Sequence, residues 1–315
     1  MSPYVLSLLI SIGIFAILAA SLSLLIGHLG IFSMAHAALF GVGAYTFAYL
    51  TVYQGWSAVL GTVAAVGVTA LAGAVMAVPS LRVAGDYFIV ASFALQIVAS
   101  SVFANWTSVT GGTGGVPGII RPVLGPFDLF ADEPFLVYAL IVLLIVIGLS
   151  LWLVRSPYGR MMHAIRDDEV VAATMGKPVR STKMIVTVLA GGFAGLAGVV
   201  YGQYMMYISP GTFDVATSVS VITMVVVGGM TSVVGAVIGA AVILLIPQAL
   251  QQVNLAQSVA GPLEQAFFGL LLVVLMFTRP QGLLADRPQA RKRRSTARSE
   301  DAGGRGPVEE VHHAS

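Results

Sequence analysis

The sequence predicts an all-α polytopic membrane protein with about nine transmembrane helices, in a range of about eight to ten. Hydrophobic residues make up 57% of the chain and charged residues only 10%, whereas an ordinary soluble domain carries roughly 25% charged residues. Residues 1–81 contain no Asp, Glu, Lys or Arg. Because about 20 apolar residues cross a bilayer, uncharged stretches of this length are too long for the helices of a soluble core.

Dividing the uncharged intervals into lengths of about 20 residues gives the predicted spans. Glycines make 28–48 and 217–235 the stretches where a helix is most easily broken. No positively charged leader precedes the first apolar run, so we expect that run to remain as a span and not to be cleaved as a signal peptide. The predicted spans lie near 4–27, 31–53, 57–79, 86–104 and 134–154, after Lys183, as a pair between Asp214 and Glu264, and near 263–278.

The basic residues predict the orientation of the chain. Of the 16 Lys and Arg, six lie in residues 155–183 and eight lie from Arg279 onward. Because Lys and Arg concentrate in cytoplasmic loops, we expect both segments inside, and an odd number of spans then places the N-terminus outside. The stretch 105–133 contains GGTGGVPG and is predicted as an outer loop rich in Gly and Pro.

The chain is expected to divide into a transmembrane domain, residues 1–285, and a cytoplasmic tail, residues 286–315. The tail is polar and lacks aromatic residues, so we expect it to be disordered. Its basic cluster, Arg291 to Arg294, is more typical of a solvated tail than of a site for anionic lipid headgroups. The absence of cysteine excludes disulfides and thiolate metal sites.

The predicted spans carry no charged side chain near their centres. Such charges usually mark ion or proton pathways, so their absence argues against proton-driven exchange, whereas sodium coupling through backbone carbonyls stays open. His28, Ser33 and His36 lie close together, but a Ser–His pair is only the minimum for nucleophilic catalysis, and zinc needs a third protein ligand. No stretch matches the phosphate-binding pattern G-x-x-x-x-G-K-[ST]. We therefore expect a chain that is not an enzyme and binds no cofactor or metal.

Small and uncharged polar residues carry the remaining signal within the spans. Glycines at spacings of three and four, as in residues 191–202 and 235–239, let helix backbones approach closely in lipid. Uncharged polar groups, including Gln203 and Gln248, could line a path for a neutral or zwitterionic solute. The residues predicted for this translocation pathway are Ser33, His36, Tyr45, Asn105 and Thr110.

One charged block, residues 159–183, interrupts the apolar pattern. Asp167, Asp168 and Glu169 would lie at the positive end of a helix dipole, and Gly176 is placed to end that helix in a left-handed cap. The block is therefore predicted to form two short surface helices, with Ile165 as an apolar knob. Such a pair suits docking into the groove of a partner or lying on the membrane surface. Three adjacent acids, which anionic lipid would repel, favour a protein partner.

Six motifs, taken in order along the chain, resemble one transporter family. They are GIFSMAHAALFGVGAY, GDYF, NWTSVTGGTGGVPGI, SPYGRMMHAIRDDEVVAATMG, VVVGGMTSVVGAVIGA and RPQGLL. Together they resemble the M-type membrane permease of branched-chain amino-acid ABC importers, over about residues 20–285. The resemblance implies that residues 155–183 are a coupling segment that inserts into a cytoplasmic ATPase subunit. The implied coupling positions are Gly159, Arg160, Ala164, Ile165, Arg166, Asp168, Glu169, Ala172 and Gly176.

The resemblance implies a five-part importer in the bacterial inner membrane. Two related permeases would form the pore, two ATPases would bind the coupling helices, and an extracytoplasmic binding protein would deliver a branched-chain or other neutral amino acid. Besides these proteins only membrane lipid is an expected partner, and nucleic acid is not. His28, Met34 and Ala35 depart from the usual family motif GQLSLGHAAFFGIGAY, which leaves urea or another amide open as the solute. An ion-coupled secondary transporter is the other alternative.

Overall fold

Helices dominate the part of the chain that the computed structural model describes, which is residues 3–82, 86–124 and 127–251. Two of them continue into short π-helical segments, at Leu24–Leu29 and at Tyr49–Tyr53. The helices are α1 (Pro3–Ser23), α2 (His36–Ala48), α3 (Ala58–Arg82), α4 (Asp86–Asn105), α5 (Thr107–Thr110), α6 (Asp132–Arg155), α7 (Pro157–Asp167), α8 (Glu169–Thr174), α9 (Val179–Met205), α10 (Val215–Gly228) and α11 (Val233–Gln251).

Five helices within the described residues are long and apolar enough to cross a membrane. The pair formed by α10 and α11 makes a sixth span if it counts as one, but the two helices are bent by 119° at their break. The predicted number of nine spans is therefore not confirmed, and the span near 263–278 and the tail from residue 286 lie outside the described residues. The five spans are Pro3–Leu29, Ala58–Leu81, Tyr87–Asn105, Asp132–Arg155 and Val179–Met205.

A shorter helix replaces the predicted span near 31–53. Gly30 adopts a left-handed φ of 76° and ends the first span, and residues 30–35 are not helical. The α-helical part of α2 has 13 residues, or about 20 Å at 1.5 Å per residue, against a hydrocarbon core about 30 Å thick. Gly229, with a φ of 117°, ends α10 in a similar way. Both stretches in which the sequence predicted glycine breaks are broken.

The two ends of α6 define two sides of the bundle. The loop of residues 106–131 precedes α6 on one side, called here the loop side, and α7 and α8 follow α6 on the other, called the block side. On the loop side, Arg121 is 7% exposed and bonds the Phe130 carbonyl at 2.7 Å, Asp132 at 3.1 Å and the Tyr204 carbonyl at 3.2 Å. These bonds hold the loop to α6 and α9. Short antiparallel strands add pairs between β1 (Val116–Pro117) and β4 (Tyr207–Ile208) and between β2 (Val123–Leu124) and β3 (Phe127–Asp128).

Glycines let the backbones of α9 and α2 approach each other closely. A Cβ on Gly43 of α2 would overlap the backbone of Gly195, and a Cβ on Gly198 would overlap the carbonyl oxygen of Phe40. The same close approach joins α10 and α11, where a Cβ on Gly239 would overlap the Met224 carbonyl. The glycine rows of the sequence are therefore helix contacts, as their spacing predicted.

The substitution Gly43→Ala should destabilise the chain, because its methyl group meets backbone that cannot rotate away. Overpacking of this kind costs about 1–3 kcal/mol. Gly67→Ala is the matched control, since a Cβ on Gly67 meets nothing within 4 Å and alanine is the better helix former by about 1 kcal/mol. The unfolding temperature of the detergent-solubilised chain should fall for Gly43→Ala and hold or rise for Gly67→Ala. Equal unfolding temperatures would contradict the assigned contact.

Candidate functional site

A belt of buried, uncharged polar side chains surrounds the point where α2 begins inside the bundle. This polar belt consists of Ser21, His36, Ser92, Gln96 and Ser218, all at most 1% exposed. His36 Nε2 lies 2.7 Å from Ser21 Oγ, and Ser21 lies about 12 Å along the first span from its end at Leu29, at 1.5 Å per residue. The N-terminus of α2 is therefore well inside the membrane-spanning bundle.

The polar belt supplies partners to backbone groups that the helix itself leaves unpaired. The first N–H groups of a helix have no intrahelical acceptor, and inside a bilayer the protein must provide one. Here the acceptors come from α4 and α10, which fixes the position of α2 between them. The bonds run from Met34 N to Ser92 Oγ at 3.0 Å, from Ala37 N to Ser218 Oγ at 3.1 Å and from Ala38 N to Gln96 Oε1 at 2.8 Å.

The hydrogen bonds of Ser21 determine how His36 is protonated. The Ser21 hydroxyl donates to the Leu18 carbonyl at 2.7 Å, so its oxygen accepts from His36 Nε2–H. His36 Nδ1 is then a bare acceptor, and it is buried with no partner among the described residues. The Tyr45 hydroxyl is also buried without a partner in that part of the chain. Both atoms therefore keep an unused hydrogen-bonding capacity among the described residues.

Five aromatic rings pack on the polar belt. The Phe213 ring contacts those of Phe40, Tyr45, Phe103 and Tyr201 at centroid distances of 5.2–6.1 Å. The Phe213 carbonyl accepts from Gln96 Nε2 at 2.8 Å, so this ring cluster directly adjoins the belt. Phe40 and Phe213 are fully buried. The ring cluster therefore fills the space beside the belt.

The structure divides the predicted pathway residues into two groups. Ser33, His36 and Tyr45 lie in or next to α2, and Ser33 is buried with its Oγ 3.4 Å from Ala35 N. The other two residues make local contacts near the loop side. Asn105 bonds the Ser101 carbonyl at 2.8 Å, and Thr110 bonds the carbonyls of Phe103 at 2.8 Å and Trp106 at 2.7 Å.

Four members of the polar belt were missed by the sequence reasoning. For α4 a signal exists, since Ser92, Gln96 and Ser100 recur every four residues and share one face of a helix. Ser21 and Ser218 have no comparable pattern. Gln203, the further polar residue named from the sequence, is 1% exposed and lines a separate cavity of about 280 Å³ between α3 and α6. The side chain of Gln248 lies outside the described residues.

The charged block forms the two short helices that the sequence predicted. Asp168 caps the second of them, because its Oδ1 accepts from Val170 N at 2.9 Å and from Val171 N at 3.0 Å. Gly176 adopts a left-handed φ of 73°, as expected for a residue that ends a helix. Gly159 sits where α7 turns back on α6, and a Cβ there would overlap the Val154 carbonyl.

The prediction that Ile165 projects as an apolar knob is wrong. Ile165 is 4% exposed and Met162 is fully buried, because α7 turns its apolar face toward the end of the first span. The exposed apolar side chains of the block lie instead on and just after α8: Val170 and Met175 are each 72% exposed and Val171 is 51% exposed. Of the other implied coupling positions, Gly159 and Ala172 are buried, Glu169 is half-buried, and five are exposed: Arg160, Ala164, Arg166, Asp168 and Gly176.

Arg166 and Glu169, two of the implied coupling positions, bond within this chain. Arg166 Nη1 donates to the carbonyl oxygen of Gly27. Glu169 Oε2 lies 2.6 Å from Lys183 Nζ, and Lys183 is only 5% exposed. A cavity of about 390 Å³ lies beside these contacts.

Comparisons with known proteins identify the family of this chain. Residues 4–276 match the family described as branched-chain amino acid transport system / permease component. The chain is 31% identical over 318 residues to the high-affinity branched-chain amino acid transport system permease protein LivM of Escherichia coli, covering 92% of this chain and 72% of that one. LivM of Salmonella typhimurium is 31% identical over 313 residues, with the same two shares.

A second permease protein, LivH, also matches. The permease protein LivH of Escherichia coli is 26% identical over 295 residues, which covers 88% of this chain and 93% of that one. No solved structure gives a significant match. Because the family match covers most of this chain, the chain belongs to the permease components of branched-chain amino acid transport systems.

Proposed function

We propose that this chain is one of two related permease subunits of an ABC importer that carries branched-chain or other neutral amino acids across the bacterial inner membrane. The family membership together with the polar belt inside the bundle carries this proposal. Likeness to both LivM and LivH supports a pore made by two homologous permeases. Two cytoplasmic ATPases would hydrolyse ATP, and an extracytoplasmic binding protein would deliver the solute.

The chemistry of the polar belt suits a zwitterionic amino acid with an aliphatic side chain. The broken N-terminus of α2 presents the positive end of a helix dipole, and such half-helix ends face substrate carboxylates in other transporters. His36 Nδ1, a buried acceptor without a partner among the described residues, can accept from the substrate ammonium. The ring cluster offers an apolar wall for the side chain. Urea or another amide is the second candidate, because the hydroxyls and the amide of the belt match a neutral solute equally well.

The exposed side chains of α8 support docking to an ATPase. Val170, Val171 and Met175 form a small apolar surface on the block side, and Lys177 and Arg180 are exposed beyond it. An apolar stripe with a charged rim is the form in which a short helix enters a partner's groove. The block side would then be cytoplasmic and the loop side extracytoplasmic, as the positive-inside rule favours.

The energy source gives the direct test of the proposed function. The purified chain alone should neither bind nor hydrolyse ATP, whereas the complex reconstituted with its ATPases and binding protein should hydrolyse ATP faster when solute is added. Labelled leucine should accumulate in these liposomes, and labelled urea should not. Accumulation of urea alone would select the amide alternative. Uptake driven by an ion gradient in liposomes that hold only this chain would refute the ABC assignment.

The proposed orientation is testable with single cysteines, because the chain has none of its own. Lys177 and Gly114 are both exposed, on the block side and the loop side. In intact cells, an impermeant thiol reagent should label Gly114→Cys and leave Lys177→Cys unlabelled until the membrane is opened. Labelling of Lys177→Cys from outside would reverse the orientation.

The assignment of the docking surface predicts a sharp effect of Val170→Asp. An unpaired charge buried in an interface costs several kcal/mol, and each 1.4 kcal/mol or so is a factor of ten in affinity. The variant should therefore reach normal abundance but lose about tenfold or more of its co-purification with the ATPase, and uptake should fall with it.

Two further variants control this prediction. Ile120→Asp, at a residue 66% exposed on the loop side, should leave co-purification unchanged. Ile165→Asp should lower the abundance of the chain itself, because Ile165 is buried within it. Normal co-purification of Val170→Asp would show that the apolar surface of α8 does not dock the ATPase.

A further inference from the structure

Arg166 joins α7 to the broken end of the first span. Its Nη1 donates to the carbonyl oxygen of Gly27, in the π-helical turn that ends at Leu29. The last carbonyls of a helix lack intrahelical donors, and a cation is favoured at that negative end of the dipole. The fit is close, since a Cβ on Gly30 would lie 2.9 Å from Arg166 Cγ. A helix outside the membrane is thus bonded directly to a helix break inside the bundle.

Gly27 also contacts the second break. A Cβ on Gly27 would overlap the carbonyl oxygen of Met230, which lies between α10 and α11. Gly27 is therefore held between the guanidinium of Arg166 and the tip of the bent α10–α11 pair. Met230 leaves no room for a side chain at Gly27, and a displacement of Arg166 must displace this turn or break its hydrogen bond to the Gly27 carbonyl.

Lys183 makes a second connection of the same type. Its Nζ lies 2.6 Å from Glu169 Oε2 of α8 and 3.3 Å from the Ser80 carbonyl oxygen, and Ser80 is in the last turn of α3. The Lys183 side chain is 6% exposed and that of Glu169 is 43% exposed. A buried cation without its counter-charge is strongly destabilising, so α8 is held to α3 and α9 through this ion pair.

The apolar face of α7 reinforces the first connection. The ring of His163 meets that of His28 edge-on, with a centroid distance of 5.2 Å. Burial, followed by the charge of Arg166, lowers the pKa of His163. The ring is therefore neutral near neutral pH and adds no repulsion at the contact with His28. Ile165 and Met162 are buried on the same side of α7.

We propose that Arg166 and Lys183 are positioning residues that carry movement of the charged block to the helix break at residues 27–35. This inference rests on the proposed function, in which an ATPase moves the block. The break leads directly into α2, whose N-terminus is bonded to the polar belt, so the connection runs from the block through Gly27 to the belt. The cavity of about 390 Å³ between the block and residues 29–32 gives the block room to move relative to that turn.

This assignment differs from a role of Arg166 and Glu169 at the ATPase surface. The side chains of Arg166 and Glu169 already bond groups within this chain, whereas Val170 and Met175 are apolar and exposed. An interface residue should affect binding of the ATPase when it is replaced. A positioning residue should leave binding intact and affect only how ATP hydrolysis responds to solute, which is a coupling free energy between two sites.

The experiment compares Arg166→Gln and Lys183→Gln with Arg155→Gln in the complete complex. Arg155 is exposed in the last turn of α6 and supplies the matched loss of one positive charge. Four quantities are measured for each: abundance, co-purification with the ATPase, basal ATP hydrolysis, and the ratio of solute-stimulated to basal hydrolysis. Arg166→Lys, which keeps a cation near Gly27, tests rescue.

For Arg166→Gln and Lys183→Gln we expect normal abundance, co-purification and basal hydrolysis. Their stimulation ratio should fall about fivefold or more, the lower end of typical coupling between sites, and uptake should fall in parallel. Arg166→Lys should recover part of the ratio, and Arg155→Gln should match the wild type.

Two results would overturn the proposal. A stimulation ratio unchanged in both glutamine variants would show that the contacts transmit nothing, and a joint loss of abundance and basal hydrolysis would make them merely structural. Failure of the wild-type chain to bind any ATPase would instead refute the proposed function, so the two failures are distinguishable.

Discussion

The hydrogen bond from Ala38 N to Gln96 Oε1 represents the constraint on which the rest of this structure depends. A chain that breaks a helix inside a bilayer must satisfy the exposed backbone groups from within the protein. Here α2 begins inside the bundle, and its first N–H groups are satisfied by side chains of α4 and α10. The polar belt is therefore needed for folding, and in the proposed function the same groups hold the polar solute.

The constraint is met with different groups at different depths. Inside the bundle, the partners are hydroxyls and an amide, because a full charge there is costly. At the block side, cations bond the carbonyl groups at the helix ends. Arg166 donates to the Gly27 carbonyl. Lys183 donates to the Ser80 carbonyl and also pairs with Glu169. The depth of each helix break thus decides whether neutral or charged side chains satisfy its unpaired backbone groups.

The sequence predicted those features that local chemistry determines. The bounds of α3, α4 and α6, the cap at Asp168 and the left-handed Gly176 all follow from residues within a few positions. The missed features are non-local. Gln96 and Ser218 are 122 residues apart and meet at 3.3 Å, which no single-chain pattern encodes. Ile165 shows a related limit, since periodicity identifies the apolar face of α7 but does not tell whether this chain or a partner covers it.

The burial of the spans explains how contacts at the block side connect to the core of the bundle. The apolar stretch of Pro3–Leu29 is 78% buried and that of Val179–Met205 is 61% buried, whereas the spans formed by α3, α4 and α6 are 22–33% buried. Gly27 and Lys183 belong to the two most buried spans. Through Gly27 and Lys183 the block is therefore fastened to the two most buried spans, where close-packed interiors transmit strain, and Lys183 also ties it to Ser80 of α3. A displacement applied at α7 or α8 acts first on the helices that contain the break and the glycine row.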